Sequence, residues 1–176
     1  MSPQNEPAVI AELEAGRQDF LDAIHGLSDA QASMRPAEGR WSTLECIEHI
    51  VTVEGRFQGW IHNGKKLEAA QPNPENEGPL LARVSDRSTK AQAPEAVIPK
   101  GTLKTVEEGR RAFHAARDQS IQLARDRGGD LYLVGAEHAR FGSLNGMEVL
   151  YLMTGHARRH AAQIRENRAT LGQTAG

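Results

Sequence analysis

The stretch Gly155-His156-Ala157-Arg158-Arg159-His160-Ala161-Ala162-Gln163-Ile164 sets two imidazoles four residues apart within a run whose apolar positions keep helical spacing. Val149, Met153, His156, His160, Ile164 and Leu171 recur at steps of three, four or seven, with Gln163 beside them. On a helix, side chains at i and i+4 share one face with Cβ atoms about 5–6 Å apart, so two ring nitrogens can converge on one point. Because the stripe is otherwise apolar, both histidines are expected to face a core, and the stretch reads as one helix of an α-helical protein. Spacing alone does not separate a metal-binding pair from the many helices that carry this pattern and bind nothing.

Working outward, the composition agrees with helices. Only 5% of the 176 residues are aromatic, and Ala, Leu, Glu and Arg are plentiful. A chain of this length suits one domain with its own core. The 21 basic and 23 acidic residues nearly cancel to a net charge of -2, which disfavours a nucleic-acid partner. Residues 1–16 lack the basic start and apolar run of a signal peptide, and no segment approaches about 18 consecutive apolar residues. The expectation is a soluble, cytoplasmic protein with no membrane partner. With a single cysteine, Cys46, no internal disulfide can form.

Three further helices precede the histidine pair. From Ala8, the residues Val9, Ile10, Leu13, Phe20, Leu21, Ile24 and Leu27 follow helical spacing, and Ser28-Asp29-Ala30-Gln31 can start a short turn. A second helix opens at the capping box Ser42-Thr43-Leu44-Glu45 and runs to Asn63-Gly64. Its stripe contains Leu44, Cys46, Ile47, Ile50, Val51, Val53, Phe57, Trp60 and Ile61, with His49 on the edge. Residues 65–101, with prolines at 72, 74, 79, 94 and 99, read as a long irregular crossover loop, part of which covers one end of the bundle. A third helix begins at Thr105-Val106-Glu107-Glu108 and ends at Gly128-Gly129. Residues 130–143 form a connector in which Leu131 to Val134 pack as an extended or helical segment. Asn145-Gly146-Met147-Glu148 then caps the fourth helix, which reaches Leu171-Gly172 before a flexible tail over 172–176. The predicted fold is all-α: a single domain, 1–176, forming a four-helix bundle with a long crossover between helices two and three.

Helical bundles build metal sites from side chains projecting inward on facing helices. His49 from helix two, with His156 and His160 from helix four, would give three neutral nitrogen ligands and an open fourth position, the pattern of a catalytic zinc-type site. His25, His62, His114 and His138 read as surface residues. Glu45 reads as a helix cap in preference to an orienting group for His49. Cys46 reads as a small buried packing residue in preference to a fourth ligand or a reactive thiol. Arginines 158, 159, 165 and 168 read as a solvated face.

Several of these pieces together resemble the DinB-like or YfiT-like metal-binding proteins. They are Trp41-Ser42-x-x-Glu45-x-x-x-His49, the tract Ala93-Pro94-Glu95 with Pro99, Phe141-Gly142, and His156-x-x-Arg159-His160-x-x-Gln163-Ile164, covering the chain from Trp41 to Ile164. The resemblance implies a four-helix bundle with one divalent metal, zinc or nickel, at the positions matching His49, His156 and His160, and makes a homodimer plausible. Some members of that family are thiol-dependent transferases or isomerases that use a small cofactor thiol, and others have been called metal-dependent hydrolases. A divalent metal lowers the pKa of a coordinated thiol or water, so three histidines suit either chemistry. The expected function is a thiol-dependent S-transferase acting on a small-molecule substrate with a low-molecular-weight thiol. The alternatives are a metal-dependent hydrolase and a non-catalytic, stress-associated metal-binding protein.

Overall fold

The computed structural model describes residues 5–174. Four long helices form the bundle: α1 (Asn5–Ile24), α3 (Thr43–Asn63), α5 (Val106–Arg127) and α6 (Gly146–Thr174), with the one-turn α2 (Asp29–Ser33) between the first two. Their starts are fixed locally. Ser42 Oγ accepts from the Glu45 amide at 3.2 Å while the Glu45 carboxylate accepts from the Ser42 amide at 2.7 Å. Thr105 with Glu108, and Asn145 with Glu148, close the same reciprocal pair. Each cap satisfies backbone donors that the helix leaves unpaired and stabilises its helix by about 1 kcal/mol. Glu45 is therefore a cap, and also pairs with Arg35.

The interior is divided in two along the bundle axis. One apolar cluster holds Val9 and Leu13 of α1, Val53, Phe57 and Ile61 of α3, Leu123 and Ala124 of α5, and Met147 to Met153 of α6. The other holds Phe20 and Ile24, Leu44 to Ile50, Phe113, and Ala157, Ala161 and Ile164. Each fully buried large apolar side chain contributes roughly 1.5–3 kcal/mol, so both clusters hold the helices in register. Between them lies a polar layer of Glu54, Arg117, Ser120 and Thr154, all buried. Gly16 makes room for it, since a Cβ there would lie 3.0 Å from Thr154 Cγ2 and 3.4 Å from Arg117 Nη1. His156 follows Thr154 by two residues, at the same level of the bundle.

The crossover between the second and third long helices is less irregular than its prolines suggest. It contains α4 (Pro74–Ser85) and a 3-10 turn at Glu95–Val97. Pro74 sits in the first helical turn, where its missing N–H costs nothing, and Glu77, Leu80 and Val84 fall at helical spacing and are buried. Pro79 merely leaves the Glu75 carbonyl without its usual donor. The α4 helix lies against α6 at Gly155, where a Cβ would stand 2.8 Å from Val84 Cβ and 2.9 Å from the Leu81 carbonyl. Its first turn is held by Glu148, whose carboxylate accepts from the side-chain amides of Asn73 at 2.9 Å and Asn76 at 2.7 Å.

Within a mainly helical fold, the connector 130–143, expected as an extended or helical segment, is largely extended. It forms a 3-10 turn (Gly128–Leu133) and strand β2 (Val134–His138), which pairs antiparallel with β3 (Gly142–Asn145) on one side and β1 (Lys65–Lys66) on the other. Gly142, at φ +74°, supplies the left-handed turn that pairs it with His138. Val134 and Leu144 point into the bundle, so this small sheet closes one end of it. The expected tail over 172–176 is also corrected: α6 continues through Thr174, and residues 175–176 lie outside the described part. Among the described residues no helix is long and apolar enough to cross a membrane.

Candidate metal centre

His49, His156 and His160 meet in space. His49 reaches the site from α3, and the i and i+4 residues of α6 bring the other two. His49 Nε2 lies 3.2 Å from His156 Nε2, and His160 Nε2 lies 3.2 Å from the same atom. A tetrahedral centre with metal–nitrogen bonds of about 2.0–2.1 Å sets its ligand nitrogens about 3.3 Å apart. His156 Nε2 thus lies at ligand spacing from both of the others, and the ligand atoms of all three residues lie within 4.8 Å of one another. His49 and His160 are only 4% and 7% exposed, while His156 keeps a part open to solvent.

The protonation states fit a cation better than a shared proton. Burial, chiefly, holds the His49 imidazolium below the usual histidine range, with its backbone partner opposing. Burial also pushes His156 and His160 well below that range, and the neighbouring imidazoles and Arg159 or Arg87 add to it. All three rings are neutral near pH 7, and their Nε2 atoms converge on one small space. His49 Nδ1–H donates to the Val97 carbonyl at 2.7 Å, which fixes the tautomer that leaves Nε2 free to bind metal. Trp41 backs the cluster, 4.8 Å from the His49 ring and stacked at 6.3 Å on His160. His160 Nδ1 is buried without a hydrogen-bond partner, and the nearby Gln163 side chain favours its charged form only weakly.

No fourth histidine, cysteine or carboxylate joins the cluster among the described residues. Cys46 is fully buried in the apolar cluster, and burial pushes its thiol up to about 12. A scan of family models matches residues 12–164 to the DinB superfamily. The chain belongs to the DinB superfamily. Among solved structures it is similar to YfiT from Bacillus subtilis, described as a "probable metal-dependent hydrolase with an unusual four-helix bundle topology". That match has 17% identity and a TM-score of 0.60, over 98% of this chain and 90% of the other. It is also similar to TT2238, a four-helix bundle protein, at 18% identity and a TM-score of 0.49, over 97% of this chain and 99% of the other. No curated protein matches. At 17% identity the likeness to YfiT speaks for the fold.

Other histidines of this DinB-superfamily chain stand apart from the three. His25 and His62 are exposed and His114 is half-buried on α5. His138 corrects its reading as a surface residue. It is half-buried at the end of β2, with its ring 4.8 Å from Phe141, 5.9 Å from Trp60 and 6.4 Å from Phe57, which in turn faces His156 at 6.4 Å. Its Nδ1 accepts from the Arg140 and Phe141 amides, so Nε2 carries the proton. Arg159 corrects the solvated-face reading. It is 8% exposed and donates to the backbone carbonyls of Asp86 and Thr89 in the crossover. The other three arginines bind α1 or its end: Arg158 to Glu12, Arg165 to Asp19, and Arg168 to the carbonyls of Ala23 and His25. The Val97 carbonyl has no sequence signature, because any residue carries that group.

Proposed function

We propose that this chain is a metal-dependent enzyme in which His49, His156 and His160 hold one zinc or nickel ion and which joins a small external thiol to an electrophilic substrate. The convergence of three neutral Nε2 atoms at ligand spacing, with no fourth protein ligand among the described residues, carries the reading. When bound, a divalent cation at this point lowers the pKa of a thiol or water that reaches its open position. The nucleophile has to come from outside the chain, since Cys46 is buried and its thiol resists ionisation. A thiol is favoured over water because no carboxylate stands in the cluster as a general base among the described residues. Glu45 spends its oxygens on the Ser42 amide and Arg35, and Glu48 on the amides of Lys100 and Thr102.

In the transfer the sulfur bonds to an electrophilic carbon, the leaving group departs with its electron pair, and the thiol proton passes to solvent. Phe57 faces His156, and Trp60 and Phe141 continue the aromatic surface around His138. The substrate carries a negative charge, because the guanidinium groups of Arg83 and Arg140 lie 5.7 and 5.3 Å from the Phe141 ring centre and neither forms an ion pair among the described residues. Arg87 and Arg159 add positive charge near the histidines.

The test is metal content of protein made without a histidine tag, followed by titration of the cobalt-substituted protein with glutathione, bacillithiol or mycothiol. A sulfur-to-cobalt charge-transfer band, and turnover of a carboxylate-bearing electrophile that needs both thiol and metal, are the expected results. Arg140→Ala should lower kcat/KM for that electrophile more than for its neutral amide. A hydrolase is the second reading, favoured by the description of YfiT. It replaces the first if thiols leave the cobalt spectrum unchanged while an ester or amide is hydrolysed metal-dependently. With neither activity, the non-catalytic reading stands.

A further inference from the structure

The carbonyl that orients His49 belongs to a segment with little regular structure of its own. Between the end of α4 and the start of α5, only the 3-10 turn closes on itself, through Val97 N–H to the Pro94 carbonyl at 3.0 Å and Ile98 N–H to Glu95 at 3.2 Å. The segment is fixed to the bundle at its two ends. At one end Arg159, the residue before His160, donates to the carbonyls of Asp86 and Thr89. At the other, Glu48, the residue before His49, receives the Lys100 amide on Oε1 at 2.7 Å and the Thr102 amide on Oε2 at 2.9 Å. Val97 lies between these anchors with its side chain buried in the cluster of Val53, Phe57 and Ile61 and its carbonyl on His49 Nδ1.

We propose that Glu48 is a positioning residue for His49, acting through the strap 97–102. The proposal rests on the metal-centre reading for its purpose but not for its geometry. Two amide hydrogen bonds to one ionised carboxylate are stronger than neutral ones, and they fix the chain three and five residues beyond Val97. Three residues span at most about 10 Å, so release of Lys100 and Thr102 lets the Val97 carbonyl leave its position. Without that acceptor, nothing in the structure selects the Nδ1–H form of His49 over the Nε2–H form, and a proton on Nε2 blocks the ligand atom. Consecutive helical residues point about 100° apart, so Glu48 can grip the end of the strap while His49 lies under its middle.

Glu48→Gln tests this, because the amide keeps the shape but turns one acceptor into a donor that faces a backbone N–H. Proton–nitrogen correlation spectra of the imidazoles in metal-free protein should show His49 as Nδ1–H in the wild type and as a tautomer mixture in the variant, with His114 unmoved. Glu48→Asp, which keeps the charge, should restore part of the wild-type signal. Zinc affinity, measured by competition with a chromophoric chelator, should fall about 10–100-fold in Glu48→Gln, as for other partners of ligating histidines. It should fall no further when Glu48→Gln is added to His49→Ala. The proposal is overturned if His49 stays in the Nδ1–H form in Glu48→Gln, or if the substitution weakens zinc equally with and without His49. If the wild type binds no zinc while the variant still frees the His49 tautomer, the metal reading fails and the positioning role of Glu48 stands.

Discussion

Two polar clusters are buried at the same level of this bundle, and they are built on opposite plans. In the first, the Arg117 guanidinium donates to both oxygens of Glu54 at 2.7 and 3.0 Å and to the Leu13 carbonyl at 2.8 Å, and its carbon lies 5.2 Å from the centre of the Phe113 ring. Ser120 donates to Glu54 at 2.7 Å and accepts from Gln58 at 2.9 Å. Opposite charges meet, and each guanidinium nitrogen has a partner. In the second, the Nε2 atoms of His49 and His160 each lie 3.2 Å from His156 Nε2, with no acid in the cluster among the described residues. A polar cluster that satisfies itself is part of the architecture, whereas converging imidazoles with no acid among them are suited to hold a cation, as proposed above.

The contrast breaks most visibly at Arg117. Arg117→Ala leaves Glu54 buried without its cation and is expected to cost about 3–5 kcal/mol in urea unfolding of the metal-free protein. His156→Ala should cost far less in the same assay, and equal losses would erase the distinction between the clusters. For zinc the order reverses. Equilibrium dialysis should show His156→Ala weakening binding by about 100-fold or more, and His114→Ala leaving it unchanged. Zinc at a hundredfold excess over Kd should stabilise the wild type by about 2.7 kcal/mol, seen as a higher Tm that chelation reverses and that His156→Ala lacks.

The remaining comparison is the pH dependence of the metal-free protein. The folded histidines hold depressed pKa values, so below about 6.5 the unfolded chain binds more protons than the folded one. Stability is then complete above about pH 6.5 and is lost as pH falls from there toward the folded values, by at most about 1.4 kcal/mol per pH unit for each histidine. Urea midpoints between pH 7.5 and 5 should fall in the wild type and flatten when all three are alanine. An identical slope in both would remove the histidines as its cause.

The helices were legible because their signals are local. Apolar stripes at 3.6-residue spacing and the boxes Ser42/Glu45, Thr105/Glu108 and Asn145/Glu148 need only neighbouring residues, and the observed helix starts follow them. The same is true of the pair His156 and His160. Helix α4 was hidden because Pro79 and a run of charges mask the spacing of Glu77, Leu80 and Val84, which acquire meaning only against Gly155 of α6. The sheet was hidden because its strands are two to five residues long and pair with a segment far away in sequence. Burial of Arg159 and Glu54 depends on partners supplied by other elements, and the carbonyl that orients His49 is chemically the same in every residue.

The three histidines also have an order in time. His49 and His156 are separated by 107 positions, and the second and third imidazoles belong to α6, which is synthesised after α3, α4 and α5. A nascent chain that has completed α3, α4 and α5 offers one of the three nitrogens. The same late helix carries Ala157, Ala161 and Ile164 into the upper core and gives Arg159 to the crossover. Long-range closure of this kind comes late in folding, after local helices have formed. A metal centre built on these three histidines would therefore assemble only once α6 has docked, and a chain stalled before α6 would offer the ion a single imidazole.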